Sequence, residues 1–106
     1  AEAASKLYDG GLIVTSIPES QANIQAIAAQ AADALLRIEG VHMSIVVFQL
    51  ASDVVGISAR SSGEFNVQVI MEEFGGGGHW KASGCTMNGT LSDCERVFVE
   101  KAEKYL

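Results

Sequence analysis

The spacing of hydrophobic and polar positions changes several times along the chain, and each change marks an element. Leu12-Ile13-Val14 is a short apolar run opened by Gly10-Gly11 and closed by Pro18, the pattern of a buried strand. From Ser20 the period lengthens. Ile24, Ile27, Ala28, Ala31, Leu35 and Ile38 recur at steps of three and four, while Gln21, Gln25, Asp33 and Arg37 fall between them. That spacing predicts an amphipathic helix ended by Gly40, and its many alanines predict close approach to a sheet. Met43 to Leu50 and Val54 to Ala59 read as two strands joined in a hairpin across Ala51-Ser52-Asp53. Val67, Ile70, Met71 and Phe74 then mark a second helix, capped by Asn66 and stopped at Gly75. A short strand is expected through Cys85 and Met87. The last helix carries Cys94, Val97, Phe98, Ala102 and Tyr105 on one face, with Ser92-x-x-Glu95 as its capping box. Ala1 to Lys6 reads as a trailing helix or linker from something upstream.

The order β-α-β-β-α-β-α predicts an α/β fold: one domain over residues 1–106, with helices packed on a mixed sheet of about four to five strands. Composition agrees. Hydrophobic residues at 48% against charged ones at 19% fill a core and exclude intrinsic disorder. No uninterrupted apolar stretch is longer than Ile45 to Phe48, far below the roughly 20 residues that cross a bilayer, and no membrane contact by this domain is expected. No basic and apolar leader opens the chain, so a cytoplasmic setting is expected. A net charge of −6 argues against generic binding to nucleic-acid backbones, so an anionic ligand needs a local site. Cys85 and Cys94 match no zinc-ligand spacing and read as small reduced core residues.

The strongest local signal is Gly75-Gly76-Gly77-Gly78-His79. Four glycines together cost backbone entropy, a cost that makes sense where the backbone must come close to something. Consecutive exposed N–H groups cradle anions, and His79 adds a hydrogen-bonding ring beside them. A plain helix-to-strand connector is the alternative. The run fits neither the Walker A pattern nor the dinucleotide fingerprint. The second signal is Ser58-Ala59-Arg60-Ser61-Ser62-Gly63, at the end of a strand and before a helix. Arg60 suits bidentate contact with a phosphate, or else it pairs on the surface with Glu64 or Glu72. The helix from Val67 to Phe74, about 12 Å long, tethers the two signals to its opposite ends. Trp80 is open to stacking on a base or to packing, and Lys81 adds charge or is solvated. No Asp/His cluster suits a two-metal phosphoesterase and no Ser-His-Asp set is present, so no catalytic residue and no metal ligand is assigned. The chain reads as a binder.

Val55-Gly-Ile-Ser-Ala-Arg60-Ser, Asn66-Val-Gln-Val-Ile-Met-Glu72 and Gly75-Gly-Gly-Gly-His79 together resemble the DHH-associated (subfamily 1) domain, the C-terminal half of DHH phosphoesterases. The likeness covers nearly the whole chain, including Ile27-Ala-Ala-Gln-Ala-Ala-Asp33, and leans toward the cyclic-di-AMP phosphodiesterases of Gram-positive bacteria. It implies a division of labour. An upstream DHH domain holds two manganese ions and activates water, while this domain binds a cyclic dinucleotide or short oligonucleotide. The binding residues it implies are Gly76, Gly77, Gly78 and His79, with Arg60 and Ser61 opposite. It also implies a parent open to homodimerisation and to anchoring in the cell membrane. Trp80-Lys81-Ala82-Ser83-Gly84 departs from the Leu-Thr-Asn-Ala-Ala run usual in the cyclic-di-AMP enzymes and ends more like the nanoRNase relatives, which leaves the substrate open. A stand-alone nucleotide- or RNA-binding module, as related domains in alanyl-tRNA synthetase suggest, is the other reading.

Overall fold

The computed structural model describes residues 4–8, 10–63 and 66–104. One six-stranded mixed sheet runs through them. Its strands are β1 (Ala4–Tyr8), β2 (Leu12–Ile17), β3 (Met43–Ala51), β4 (Val54–Ser61), β5 (Gly77–His79) and β6 (Ala82–Asn88), in the spatial order β1-β2-β3-β4-β6-β5. Only β2 and β3 pair in parallel; the crossover between them is helix α1 (Ile24–Leu35). Helix α2 (Val67–Glu72) connects β4 to β5, and α3 (Leu91–Glu103) follows β6.

The α/β class holds, with six strands rather than four to five. Both additions come from segments with weak strand character. Residues 4–6 are not a helix or linker; they belong to β1, which pairs antiparallel with β2 through a turn where Gly10 and Gly11 stand at φ 88° and 84°. The other addition is β5, made from the glycine run itself.

The helix boundaries shift as well. Past Leu36, N–H groups turn back only three residues, Arg37 to Ala34 and Ile38 to Leu35, so α1 unwinds before Gly40 and leaves Ile38 48% exposed. Asn66 caps α2 as expected, accepting from the N–H groups of Gln68 and Val69. In α3 the cap is Thr90, whose hydroxyl accepts from Asp93 N–H; Ser92 already lies inside the helix, so the expected capping box does not form. Cys94, Phe98, Val99 and Ala102 are its buried face, whereas Val97 is 37% exposed and Tyr105 lies outside the described residues.

Alternation along the strands sorts side chains onto two faces. Leu12, Val14, Met43, Ile45, Val47, Val55, Ile57 and Ala59 face α2 and α3 and form the larger core with Ile70, Met71 and Phe98. The opposite face of β3 carries Val46 and Phe48, which pack with Ile24, Ala28 and Ala32 of α1. Close approach there is real: the Ser44 hydroxyl donates to the Ala32 carbonyl at 2.6 Å. Among the described residues no helix is long and apolar enough to cross a membrane.

Candidate functional site

Arg60 points to the α1 face of β4. Its Nε donates to Asp33 Oδ1 of α1 at 2.9 Å, and its Nη1 donates to Ser58 Oγ at 3.2 Å and to the Ala59 carbonyl at 2.9 Å. The side chain is only 17% exposed. Three acceptors from a helix and a strand thus fix the guanidinium in one place, whereas a free surface arginine would sample many. Of the two acids suggested by sequence, Glu72 is not the partner. Glu64 lies outside the described residues, and Glu72 accepts from Gln68 within α2.

The glycine run divides into distinct jobs. Gly75 (φ 80°) closes α2: its N–H reaches the Glu72 carbonyl while the Gly76 N–H reaches that of Met71, the paired bonds of a Schellman cap. Gly76 lies flat on β6, where an added Cβ would run into the Gly84 carbonyl oxygen. Gly78 (φ 140°) is similarly pressed against Ser83. Gly77 is different. Its φ is outside the left-handed region and a Cβ there would meet nothing within 4 Å. Each of the other ten glycines has either a positive φ or a crowded Cβ position. The fold explains every glycine except this one, and the space above it is open.

Sheet register brings the two sequence signals together. Arg60 pairs with Ala82, and Ala82 pairs with His79, so Arg60 and His79 stand in one cross-strand row on the same face. Two strand spacings, about 10 Å, separate them. The adjacent row is Ser58, Gly84 and Gly77. Helix α2 does not itself bridge the signals; the strand β6 between them does. His79 is exposed, and its Nδ1 accepts the Lys81 backbone N–H at 3.3 Å, which leaves Nε2 as the outward donor of the neutral ring. Ser61 goes elsewhere: alternation turns it to the α2/α3 face, where it is buried and accepts from the Gly63 N–H. Trp80 is 39% exposed with Lys81 Nζ 5.0 Å from its ring centroid, so the turn after His79 carries a cation lying over an aromatic ring.

Beside this row a groove of about 370 Å³ runs between α1 and the glycine run, lined by Gln25, Phe48, Ser58, Gly76, Gly84 and Thr86 among others. The Phe48 ring crosses Gly56, where an added Cβ would strike it. Gln25, Phe48 and Thr86 were not singled out from sequence as site residues, and neither was Asp33. One signal was available: Gln25 and Asp33 both fall off the apolar stripe of α1 and, eight residues apart, lie about 80° from each other around its axis. Among the described residues no three His, Cys, Asp or Glu side chains gather to hold a metal ion. Cys85 and Cys94 are free thiols on the core side. Burial, helped by the neighbouring Cys94, pushes Cys85 up to about 11, so its thiol stays protonated and neutral.

A fixed arginine, an exposed imidazole and an uncovered glycine strand, set on one sheet face next to a groove, suit an anionic ligand with an uncharged part. Comparison with known proteins gives the family. The chain is 38% identical over 101 residues to the cyclic-di-AMP phosphodiesterase PdeA of Listeria monocytogenes, covering 94% of this chain but 15% of that protein. Among solved structures, an exopolyphosphatase-related protein from Bacteroides fragilis matches with a TM-score of 0.82 at 28% identity, over 95% of this chain and 31% of that one. The C-Ala domain of Aquifex aeolicus alanyl-tRNA synthetase shares the fold, with a TM-score of 0.68 at 17% identity over 96% of each chain. The DHHA1 domain model matches residues 9–106, and the chain belongs to that family.

Proposed function

We propose that this chain is the substrate-binding domain of a DHH-family phosphodiesterase that hydrolyses a cyclic dinucleotide such as cyclic-di-AMP, or a short oligonucleotide. The observation that carries the reading is the row of Arg60 and His79 beside Gly77, the one glycine that the fold does not require. A phosphate over Gly77 would lie one row from the Arg60 guanidinium and the His79 imidazole N–H, with no side chain of its own strand in its way. That site is small and local, which reconciles an anionic ligand with a chain of net charge −6. The other reading is a stand-alone nucleotide- or RNA-binding module; for long RNA it would need a basic surface that this composition does not supply.

The described residues gather no ligand set for the two manganese ions that the resemblance implies, and no chemical step is placed on this chain. The ions and the attacking water belong to the DHH domain, and this domain binds and orients the phosphates. The isolated chain then binds weakly and hydrolyses nothing. A homodimeric, membrane-anchored parent fits the same reading.

Calorimetric titration of the full-length parent with cyclic-di-AMP, linear pApA and pAp tests it. Arg60→Ala and His79→Ala are each expected to weaken at least one ligand about tenfold or more. If neither variant alters binding or turnover of any of the three, the site is misassigned.

A further inference from the structure

The groove between α1 and the glycine run differs chemically from the row beside it. No charged side chain lines it, although the chain as a whole is acidic and a cation stands close by at Arg60. Its floor is backbone at Gly84 and Gly76, one wall is the Phe48 ring, and its polar side chains are the neutral Gln25, Ser58 and Thr86. The Cys85 thiol at its edge stays neutral as well. Such a lining, an aromatic wall with neutral polar groups, accepts a flat uncharged group with a polar edge.

Its position is fixed by register. Thr86 pairs with Gly56, two rows along β4 and β6 from the row of Arg60, Ala82 and His79. At about 3.4 Å per residue that is roughly 14 Å from the Arg60 row and roughly 7 Å from the row of Gly77, over which the phosphate is proposed. A ligand occupying both places is elongated, charged at one end and uncharged at the other, which is the build of a nucleotide.

Resting on the function proposed above, we infer that this groove seats a nucleobase of the ligand, and that Gln25 and Thr86 read its edge and set a preference for adenine. The carboxamide of Gln25 presents a donor and an acceptor side by side, matching the N7 acceptor and N6 amino donor of adenine. Guanine offers two acceptors along that edge, so one of the two hydrogen bonds is lost. Thr86 supplies a hydroxyl that adapts to either role. Both side chains are exposed and belong to neither core cluster, so replacing them leaves the packing intact.

Competitive binding of pApA and pGpG to the full-length parent, with thermal melts to confirm folding, is the test. The parent prefers pApA. Gln25→Ala lowers the pApA-to-pGpG affinity ratio by about 5- to 150-fold, and Thr86→Val lowers it by a smaller factor. Arg60→Ala weakens both ligands together and leaves the ratio in place. A parent that does not discriminate, or a ratio unmoved in both Gln25→Ala and Thr86→Val while Arg60→Ala still weakens both ligands, overturns the base subsite alone. An Arg60→Ala variant that binds both ligands as the parent does removes the phosphate row on which the subsite rests, and the inference falls with it.

Discussion

One sheet serves two different purposes on its two faces. Toward α2 and α3 the strands present Leu12, Val14, Met43, Ile45, Val47, Val55 and Ile57, all at most 2% exposed and packed around Phe98. Toward α1, the same strands turn from Val46 and Phe48 on β3 to Ser58 and Arg60 on β4, and then to Gly84, Gly77 and His79. Large apolar side chains give way to glycine and a few polar groups from β3 to β5. The first face contributes stability through buried area; the second gives up that area to leave backbone and a few polar groups accessible. Because both faces share β4 and β6, the rigidity of the packed side holds the open side in place.

This contrast predicts that substitutions separate cleanly into those that unfold and those that unbind. Phe98→Ala, at the centre of the packed face, is expected to lower unfolding free energy by about 3–5 kcal/mol, read from denaturant midpoints. Cys85 lies on β6 among the open-face residues but points to the core, and its titration reports that. Its folded-state value is raised from near 9 to about 11, so below pH 9 both states hold the proton and stability is unaffected. Between pH 9 and 11 the unfolded chain loses the proton first, so the fold loses stability as pH rises, by less than the full shift implies because the thiol is only half-buried. Denaturation at pH 8 and pH 10.5 should show a larger loss in the parent chain than in Cys85→Ala, where the raised Cys94 thiol still contributes; equal losses in both would put Cys85 outside the core.

Smaller effects belong to the open face. Arg60→Ala removes charge-assisted bonds worth about 1.5–3 kcal/mol to a bound phosphate, a tenfold to 100-fold loss in affinity by calorimetry, while the melting temperature hardly moves. A large fall in melting temperature instead would make Arg60 a strut between α1 and β4 first. Gly77→Ala sharpens the contrast furthest: with φ outside the left-handed region and no neighbour within 4 Å of the new Cβ, it should stabilise by about 0.4–1 kcal/mol. Ligand affinity should nevertheless fall. A variant both more stable and equally good at binding would show that nothing sits above Gly77.

How much of this was legible in the sequence depends on whether local pattern or distant pairing decides. Ile24, Ala28 and Ala32 announce α1 by spacing alone, and Asn66 announces the start of α2 by its side-chain chemistry. β5 is the opposite case. Gly77-Gly78-His79 has little strand propensity, and only antiparallel pairing with β6 makes it a strand. β1 is an edge strand whose Leu7 is 71% exposed, so no buried alternation marks it. At the candidate site, Arg60 and the glycine–histidine run stood out as residue types that are costly without a purpose. Their shared row needed the β4–β6–β5 register, and Asp33, 27 residues upstream of Arg60, entered only through the packing of α1. Ser61, which the resemblance pairs with Arg60, follows it directly in β4, and adjacency in a strand places two side chains on opposite faces.

Only Trp80 and Lys81 separate His79 from its partner Ala82. In a turn that short, one inserted or deleted residue displaces the pairing by one position and sends the imidazole to the wrong side of the sheet, with no intermediate geometry available. With a base seated in the groove as inferred above, a lineage carrying this domain exchanges the bases of its ligand by changing side chains along α1 and β6. It has no gradual route to a turn one residue longer.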